Sequence, residues 1–303
     1  MIIKQADDRR QDLRTLERLL EDPSNDIEDY KKKIKQEICN IKAGVKCERD
    51  AAYLMKIHYG DHPNWMVIHD LRIEYNDLVA QIDHLIINHR LEMWVCESKH
   101  YSEGVAINEC GEFTSFYDNK PLGGASPIEQ NNTHILILRR LFDSNTLKIP
   151  KRLGFTIKPT LKGLVLISKE ARISRPKAKI TGIETVIKVD MLFRTIEESS
   201  RKLGPLKIIK TVSHKTLETF AKQIARQHSP IKFNWRGKFG LKYPEKLKDE
   251  KNSKSQPLCC ACNTLISQKI ANFCSQNKDR YGGDIFCINC QKSWPGLEKM
   301  PLC

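Results

Sequence analysis

The amino-acid sequence predicts an α/β protein in which a mixed sheet carries helices on both faces, followed by a small cysteine-rich module. Two observations predict the first part. A long segment of helical periodicity, from about Ile27 to His58, precedes several closely spaced segments of strand periodicity. A third observation predicts the module, because seven of the 11 cysteines lie in the last 45 residues.

The N-terminal part of the chain is predicted to be helical. Residues 4 to 21 are charged and helix-prone, and Asp22-Pro-Ser-Asn-Asp ends that helix. In the second helix one step of an apolar stripe is occupied by Glu48. The stripe comprises Ile34, Ile38, Ile41, Val45, Ala52 and Met55. A buried carboxylate is costly unless it is paired or holds a metal, whereas a glutamate at the stripe's edge would reach water.

Three strands are predicted after the long helix. Met66 to Tyr75 and Leu78 to Asn88 alternate with period two and flank Asn76-Asp77, which indicates a hairpin. A third strand is predicted at Met93 to Tyr101. Segments of the second and third strands are apolar on both faces, which favours central strands covered by helices on each side.

A further helix is predicted from Ser126 to about Phe142. Its start has a serine cap, a proline in the first turn and Glu129 three residues after the cap. Gln130 lies in the first turn, in line with apolar positions, so its amide is predicted to face inward. Strands at 163–168 and 185–190 and a closing helix at 215–227 complete the expected fold.

Composition and charge restrict the partner and the compartment. The formal net charge is +14, which favours a polyanionic partner, although an ordinary basic protein has the same charge. No apolar run approaches the roughly 20 residues of a membrane span, and we expect a cytoplasmic protein with no membrane partner. In a reducing compartment its cysteines would stay free for metals or for the core.

Residues 229–257 form a predicted basic linker with a local excess of five positive charges. Its aromatic residues include Phe233, Trp235, Phe239 and Tyr243. Aromatic side chains among cations suit stacking on nucleic-acid bases. They equally suit a strap packed on the domain surface, and the sequence leaves both alternatives open.

The second and third predicted strands carry an acidic pair and a lysine. Glu97 and Lys99 are two residues apart on one strand and therefore point to one face, while Asp83 lies on the neighbouring strand. Phosphodiester hydrolysis needs a divalent cation on oxygen ligands, an activated water and a cation near the transition state. These three residues can supply those groups. His84 and His100 alternate to the opposite face, so core or surface roles are expected for them.

Five separated motifs in this region resemble those of the nuclease-related domain, abbreviated NERD. They are Ala43-Gly44-Val-Lys-Cys-Glu48, Asp70-Leu-Arg-Ile73, Ala80-Gln-Ile-Asp-His84, Glu97-Ser-Lys-His100 and Ser126-Pro-Ile-Glu-Gln130. The resemblance covers roughly Ala43 to Arg140 and implies the restriction-endonuclease-like fold of the PD-(D/E)xK superfamily. It places Glu48, Asp83, Glu97, Lys99 and Gln130 on active-site positions.

Two features depart from the family pattern. Cys47 occupies a place where glycine is common, and a small side chain should still fit there. The hairpin turn is Asn76-Asp77 where Asn-Gly is more usual, which affects the turn and not the site.

The cysteine-rich end contains two Cys-x-x-Cys pairs separated by 24 residues, Cys259 with Cys262 and Cys287 with Cys290. This spacing is typical of a structural zinc site with four thiolate ligands. Cys274 and Cys260 leave the ligand choice open. The ending also resembles the tails of some nuclease-related proteins and topoisomerase-type zinc fingers, which implies binding to DNA.

Together these features predict a metal-dependent nuclease. Asp83, Glu97 and Glu48 are the expected ligands of Mg²⁺ or Mn²⁺, Lys99 acts on the attacking water, and Gln130 positions water or phosphate. The expected partner is nucleic acid, with DNA favoured over RNA, and the oligomeric state is open. A non-catalytic DNA-binding module with a vestigial site and a zinc-dependent adaptor are the alternatives. The predicted organisation is 1–40 (helical segment), 41–228 (nuclease-related domain), 229–257 (basic linker) and 258–303 (zinc module).

Overall fold

The computed structural model describes residues 1–22, 28–201, 211–231, 233–241, 257–260, 264–277, 281 and 285–292. The chain forms two compact units, Met1–Leu241 and Lys242–Cys303. The predicted domain boundaries at residues 40, 228 and 257 stay predictions. Among the described residues, no helix has the length and apolar character needed to cross a membrane.

The first unit contains six α-helices and twelve strands within its described residues. The helices are α1 (Arg10–Glu21), α2 (Glu28–Tyr59), α3 (Pro127–Asp143), α4 (Leu192–Arg201), α5 (His214–Ala225) and α6 (Trp235–Lys238). The strands are β1 (Ile2–Lys4), β2 (Trp65–Tyr75), β3 (Leu78–Asn88), β4 (Glu92–Lys99), β5 (Gly104–Ile107), β6 (Phe113–Tyr117), β7 (Lys120–Gly124), β8 (Lys151–Arg152), β9 (Phe155–Thr156), β10 (Thr160–Ile167), β11 (Arg172–Ser174) and β12 (Val186–Lys188).

The central sheet is mixed, with strand order β1-β2-β3-β4-β10-β12. Strands β2, β3 and β4 form the predicted antiparallel meander, while β1, β10 and β12 each run parallel to their neighbours. The turn between β2 and β3 is tight, because Asn76 and Asp77 have φ angles of 47° and 60°.

Helices cover both faces of the central sheet, so the predicted fold class is confirmed. On one face, Leu138 of α3 and Phe220 of α5 pack on the side chains of β2, β3 and β4. On the other face, Met55 of α2 and Ile196 of α4 pack around Trp94 of β4. The central strands are apolar on both sides because neither face is open to water.

The prediction of a helix over residues 4–21 is wrong in its first third. Ile2–Lys4 is a strand that pairs with β2, and α1 begins only at Arg10. The β-branched pair Ile2-Ile3 suits an edge strand better than a helix. Its pairing with β2 places the loop Gln5–Arg9, which follows β1 in the chain, next to Asp70 of β2.

The start of the predicted basic linker packs into the first unit. The Trp235 side chain is 4% exposed and lies in an apolar cluster with Leu16 and Leu19 of α1 and Ile34 of α2. Its indole nitrogen Nε1 donates to Oδ1 of Asp12 at 2.9 Å. For Trp235 the structure therefore shows the packed strap and excludes base stacking. Tyr243 lies outside the described residues.

The second unit has a small core of its own. Its described helices are α7 (Gln268–Gln276) and α8 (Ile288–Lys292), and Leu258 bridges Leu265 in antiparallel fashion. Its buried side chains are Cys259, Ile266, Cys274, Tyr281 and Phe286.

Candidate active site and metal centres

Asp83 lies where the hydrogen-bond ladders of three strands are interrupted. Pairing between β3 and β4 stops at His84 and Cys96, one residue short of Asp83 and Glu97. The Asp83 carboxylate takes over as acceptor, since its Oδ2 receives the backbone N–H of Ser98 at 2.7 Å. This bond places the carboxylate on β4 beside Glu97.

Glu97 and Lys99 of β4 form the ion pair of the site. Glu97 is 3% exposed, and the Lys99 ammonium donates to its Oε1 at 2.8 Å. The same ammonium donates to Oε1 of Gln130 at 2.9 Å, at the start of α3. The structure thus brings Asp83, Glu97, Lys99 and Gln130 together where the pairing of β3 with β4 ends.

The N-terminal end of α3 is fixed to the sheet by Asn131. Its Nδ2 donates to the carbonyls of Val95 and Leu164 at 2.9 and 3.1 Å, which joins α3 to β4 and β10. Gly163 of β10 permits this approach, because a Cβ there would lie 3.1 Å from Asn131 Nδ2. The close packing of α3 on β10 holds Gln130 within reach of Lys99.

The inward orientation predicted for Gln130 is wrong. Gln130 is exposed, and the inward positions of the first two turns are Asn131 and His134. The exposed side chain of Gln130 is long enough to reach the Lys99 ammonium from the rim of the site. The predicted helical phase was off by one residue at the cap.

His134 is a site neighbour to which the sequence analysis gave no role. Its Nδ1 lies 3.5 Å from Oε2 of Glu97, and the side chain is 7% exposed. Burial and the nearby Lys99 lower the pKa of His134, so the imidazole is neutral. The position four residues after Gln130 on a helix was the available signal, since it lies on the same side one turn later.

Glu48 enters the site from α2. The buried side of α2 passes through Cys47, Ala51 and Met55, so Glu48 lies at the edge of the predicted stripe and is half-buried. Burial, followed by repulsion from Asp70, raises the pKa of Glu48 to about 7. A Cβ on Gly44 would be 3.9 Å from its Oε1, so the preceding turn leaves room beside this carboxylate.

Asp70 is a fourth carboxylate in this region. The pairs His69 with His84 and Leu71 with Ile82 place Asp70 opposite Asp83, but its φ of 51° interrupts the ladder. Its Oδ2 accepts the backbone N–H of Asp7 at 3.0 Å. A non-glycine residue in this conformation is strained, and such strain clusters at functional sites.

The N-terminal loop supplies a cation beside these carboxylates. Arg9 lines a cleft of about 520 Å³ together with Glu48 and Asp70, and its charge lowers the pKa of Glu48. The Arg9 Nε pairs with Oδ2 of Asp12 at 2.7 Å, and Asp12 also accepts the Trp235 indole N–H. The packed segment that contains Trp235, called the strap below, therefore fixes Asp12 beside Arg9.

The carboxylates raise each other's pKa. Burial, then repulsion from Glu97 and Glu48, holds the pKa of Asp83 well above its usual range. Burial also raises the pKa of Glu97, and the Lys99 charge offsets part of that rise. Oε2 of Glu97 is buried without a hydrogen-bond partner in the described part of the chain. Crowded carboxylates with an unsatisfied oxygen fit a divalent cation, which would supply the missing positive charge.

The two histidines flanking the acidic residues have no place in this cluster. His84 is 1% exposed, and its Nδ1 lies 2.8 Å from Nδ1 of His69 on β2. Burial lowers the pKa of both imidazoles, to about 4 for His69. His100 is exposed. These positions agree with the core and surface roles expected from the alternation.

Cys47 is a buried thiol on α2. Burial raises the pKa of its thiol to about 12, so it stays protonated. It packs as a small apolar side chain on the buried side of α2. The family departure noted at this position therefore leaves the adjacent carboxylate of Glu48 in place.

The second unit holds a separate thiolate cluster. The sulfurs of Cys259, Cys287 and Cys290 all lie within 4.8 Å of one another, and among the described residues this is the one such group of His, Cys, Asp or Glu ligands. The backbone N–H of Cys287 donates to Cys259 Sγ at 3.2 Å. Tetrahedral zinc with Zn–S bonds near 2.3 Å needs sulfurs about 3.8 Å apart, so the three fit it. Cys262, the fourth predicted ligand, lies outside the described residues.

The two remaining candidates stand apart from this cluster. Cys274 is fully buried on α7, where Gln291 Nε2 and the Phe286 N–H donate to its sulfur at 3.3 and 3.4 Å. Cys260 is exposed and accepts the N–H of Ile285 at 3.4 Å. Neither belongs to the group of three.

The fold and the two clusters define an α/β protein with a carboxylate and lysine site at one end of a mixed sheet. Residues 43–167 match the family model of the nuclease-related domain, so this part of the chain is similar to that family. The match includes Glu48, Asp83, Glu97, Lys99 and Gln130 and leaves Arg9, the strap and the thiolate cluster outside. No curated protein and no solved structure matches the chain.

Proposed function

We propose that this protein is a metal-dependent nuclease that hydrolyses phosphodiester bonds, in DNA rather than RNA. The observation that carries the proposal is the convergence of Asp83, Glu97 and Lys99 where β3 and β4 separate. Two buried carboxylates with raised pKa values beside a lysine are costly for the fold, and a cation site explains that cost.

Asp83 and Glu97 are the proposed direct ligands of Mg²⁺ or Mn²⁺. Their hard carboxylate oxygens suit these ions, and Glu48 at the rim is a further direct or water-mediated ligand. The bound cation would withdraw charge from the phosphate oxygen and acidify a water. Because the pKa of Glu48 is near 7, that carboxylate ionises fully only at mildly alkaline pH or when the cation is bound.

Lys99 is proposed to act on the attacking water. Its ammonium donates to Glu97 and Gln130, and the third N–H of an ammonium can donate to a water or a phosphate oxygen at this position. In hydrolysis the water oxygen bonds to phosphorus, the water gives up a proton to solvent, the bond to the leaving oxygen breaks, and that oxygen takes up a proton from solvent. As an ammonium, Lys99 orients that water and offsets the charge that develops on the phosphate oxygens; it could deprotonate the water only after losing its own proton.

Arg9 is proposed to contact the phosphate group beside the scissile bond. A guanidinium binds phosphate oxygens through paired N–H donors, and Asp12 holds the Arg9 side chain in place through Nε. The arginine lines the cleft that borders Glu48, so a phosphate there would lie between this cation and the metal site.

The thiolate cluster is proposed to bind one structural Zn²⁺ and to help the protein hold nucleic acid. Three converging sulfurs support the zinc. The net charge of +14 supports the polyanionic partner. Free thiolates and a metal on them suit a reducing compartment, which supports a cytoplasmic location.

Circular substrates give the sharpest test of the activity. Single-stranded and double-stranded DNA circles and an RNA circle are incubated with and without Mg²⁺ or Mn²⁺, since circles report only endonucleolytic cuts. We expect metal-dependent cleavage of DNA by the native protein and none by Asp83→Asn or Lys99→Ala. Surface variants Asp190→Asn and Lys215→Ala are the matched controls. Full activity in a folded Asp83→Asn protein would overturn the site, and metal-dependent binding without cleavage would favour a vestigial site.

A further inference from the structure

A second basic and apolar surface lies at the far end of the sheet from the carboxylates. Strands β8 and β9 form a hairpin joined by Leu153 and Gly154. Leu153 is 81% exposed and Phe155 is 79% exposed, which makes them the two most exposed large apolar side chains among the described residues. Isolated apolar side chains are ordinary on protein surfaces, whereas two at the tip of one hairpin indicate a contact.

The turn of this hairpin holds Leu153 in a strained conformation. Leu153 has a φ of 49° and Gly154 a φ of 82°, the pattern of a type I′ turn. Asparagine or aspartate is usual at the first position, since their side chains tolerate a positive φ. A bulky apolar residue that gains no burial there is unfavourable for the fold alone, and this is the kind of strain that marks binding sites.

The base of the hairpin is fixed, so the tip is held in place. Ile157 is 7% exposed and lies in the core under α3 and α5, and its N–H donates to the Pro150 carbonyl at 2.9 Å. The Arg152 guanidinium donates to Thr211 through the carbonyl and the hydroxyl at 2.7 and 2.6 Å. A rigid support lowers the conformational entropy that the tip would lose on binding.

The charge around the tip points to a polyanion. Residues 148–158 contain Lys148, Lys151, Arg152 and Lys158 and no acidic residue. All four side chains belong to exposed residues. Phosphate contacts by lysines combined with apolar side chains placed against bases or between base steps are a known way to bind a duplex.

We propose that the hairpin segment 148–158 binds the nucleic-acid duplex away from the cut, with its lysines on phosphates and Leu153 and Phe155 against bases. The proposal rests on the proposed nuclease function for its partner. Strand β10 pairs with β4 from Thr160 with Glu92 to Ile167 with Lys99. Those seven steps place the hairpin end and the Lys99 end about 23 Å apart. A duplex that contacts both would therefore span at least about seven base pairs.

The test measures binding with full-length protein in an Asp83→Asn background, so that no cleavage occurs. Two hairpin variants are compared: Lys151→Gln with Lys158→Gln, and Leu153→Asn with Phe155→Ser. Asparagine preserves the turn because it tolerates the positive φ. Lys32→Gln with Lys35→Gln on α2 matches the charge loss, and Ile57→Ser with Leu136→Ser matches the loss of exposed apolar side chains. Melting temperatures no lower than that of the Asp83→Asn parent confirm that each variant is folded, and Leu153→Asn should raise the melting temperature by relieving the strain at a positive φ.

We expect the lysine variant to flatten the slope of log affinity against log salt by about 1.8 for duplex DNA, because two phosphate contacts are lost. The tip variant should bind about tenfold more weakly at an unchanged slope. Both losses should disappear when the ligand is a stem-loop of about six base pairs, because it is too short to contact the hairpin and the Lys99 end together. They should persist when the ligand is a duplex of about 30 base pairs. Hairpin variants that behave like their controls on long duplexes would overturn the proposal. So would loss of binding to anionic phospholipid vesicles with DNA binding intact.

The outcome is separate from that of the nuclease proposal. If the native protein cuts no nucleic acid, the binding titrations still report on the hairpin. If it cuts normally and the hairpin variants match their controls, only the duplex contact fails.

Discussion

The Lys99 ammonium binds one carboxylate oxygen of Glu97 at 2.8 Å, while the other oxygen, Oε2, forms no hydrogen bond within the described part of the chain. Only one of the two carboxylate oxygens of Glu97 therefore has a hydrogen-bond partner among the described residues. A cation held by Glu97 and Asp83 would supply the positive charge that Oε2 lacks. The same buried arrangement destabilises the cation-free protein. The carboxylates repel one another while they are ionised, and each must bind a proton to become neutral.

Removing one carboxylate should therefore stabilise the protein when divalent cations are absent. The folded-state pKa values of Glu48, Asp83 and Glu97 are raised, so their contribution to stability is present at low pH and is lost as pH rises through those values. For Glu48 this window runs from about 4.5 to about 7. We expect Asp83→Asn to raise the melting temperature by about 2–4 °C at pH 8 in a chelator.

Divalent cations should reverse the order of the melting temperatures of the native protein and Asp83→Asn. Mg²⁺ should raise the melting temperature of the native protein and leave that of Asp83→Asn unchanged, since binding to the folded state stabilises it. Differential scanning fluorimetry at several pH values measures both effects, with Asp190→Asn as the control. A native protein whose melting temperature is indifferent to Mg²⁺ and Mn²⁺ would argue against the metal site independently of any cleavage assay.

His134 should act as a positioning residue for Glu97. Its Nδ1 lies 3.5 Å from Oε2 without a hydrogen bond, and this contact limits how the carboxylate can turn. Loss of such an outer partner typically weakens metal binding by about 10- to 100-fold. We expect His134→Leu to require at least about tenfold more Mg²⁺ for half-maximal cleavage, at an unchanged maximal rate. His134→Asn keeps a donor near the Nδ1 position and should restore the native requirement, whereas equal defects in both variants would indicate a packing role.

Much of this site followed from the sequence because strand alternation is a strong constraint. Glu97 and Lys99 had to share a face, and the tight turn at Asn76 and Asp77 had to set β2 against β3. Helical phase is weaker, since one residue changes the direction by about 100°. That is why Gln130 was assigned inward when Asn131 holds the inward place.

Long-range contacts account for what the sequence left out. Arg9 reaches Glu48 only because β1 pairs with β2, and a three-residue strand has too little periodicity to be recognised. The sheet formed by β11, β5, β6 and β7 was likewise missed, because its strands are only three to five residues long. The position of the Asp70 carboxylate depends on a positive φ angle, which the sequence of its motif does not predict.

Acid should destabilise the protein through the buried pair of His69 and His84. Burial lowers the pKa of both, so their contribution to stability is complete above about 6.5 and is lost as pH falls toward 4. The shift of His69 alone corresponds to about 3 kcal/mol at full loss. We expect the double variant His69→Leu with His84→Leu to show a flatter fall in unfolding free energy between pH 6.5 and 4. The carboxylates have the opposite effect on stability, and they have it in both proteins. The difference between the two curves of unfolding free energy against pH therefore reports the histidines alone. Parallel curves would show that the histidine pair does not cause the loss of stability in acid.

The purified protein should carry about one zinc per chain, bound by Cys259, Cys262, Cys287 and Cys290. Cys287→Ser should lose that zinc, and Cys274→Ala should keep it, because Cys274 does not belong to the group of converging sulfurs. Metal analysis measures this, and circular dichroism with a chelator should show unfolding of the cysteine-rich unit and not of the nuclease-related domain. Zinc retained in a chain truncated after residue 257 would place the metal elsewhere.

The final prediction concerns whether the cysteine-rich unit holds nucleic acid, and the position of Trp235 decides how to test it. Deletion from Ser229 would remove Trp235 from its cluster with Leu16, and with it the bond that fixes Asp12 beside Arg9. Such a deletion should lower the melting temperature and impair cleavage through Arg9, so its effect on binding would be ambiguous. Deletion after Leu241 keeps the whole first compact unit.

We therefore compare full-length protein, the chain ending at Leu241 and full-length Cys287→Ser, all with Asp83→Asn to prevent cleavage. If the unit contacts phosphates, the shortened chain should bind more weakly, and its slope of log affinity against log salt should fall by roughly 0.7 to 0.9 per lost contact. Cys287→Ser should follow it, because the unit depends on zinc for its fold. Cleavage at saturating DNA by the corresponding proteins with Asp83 intact should change little. If the unit docks a protein partner or only covers the domain, the salt slope stays the same in all three proteins, and the carboxylate site keeps its separate support.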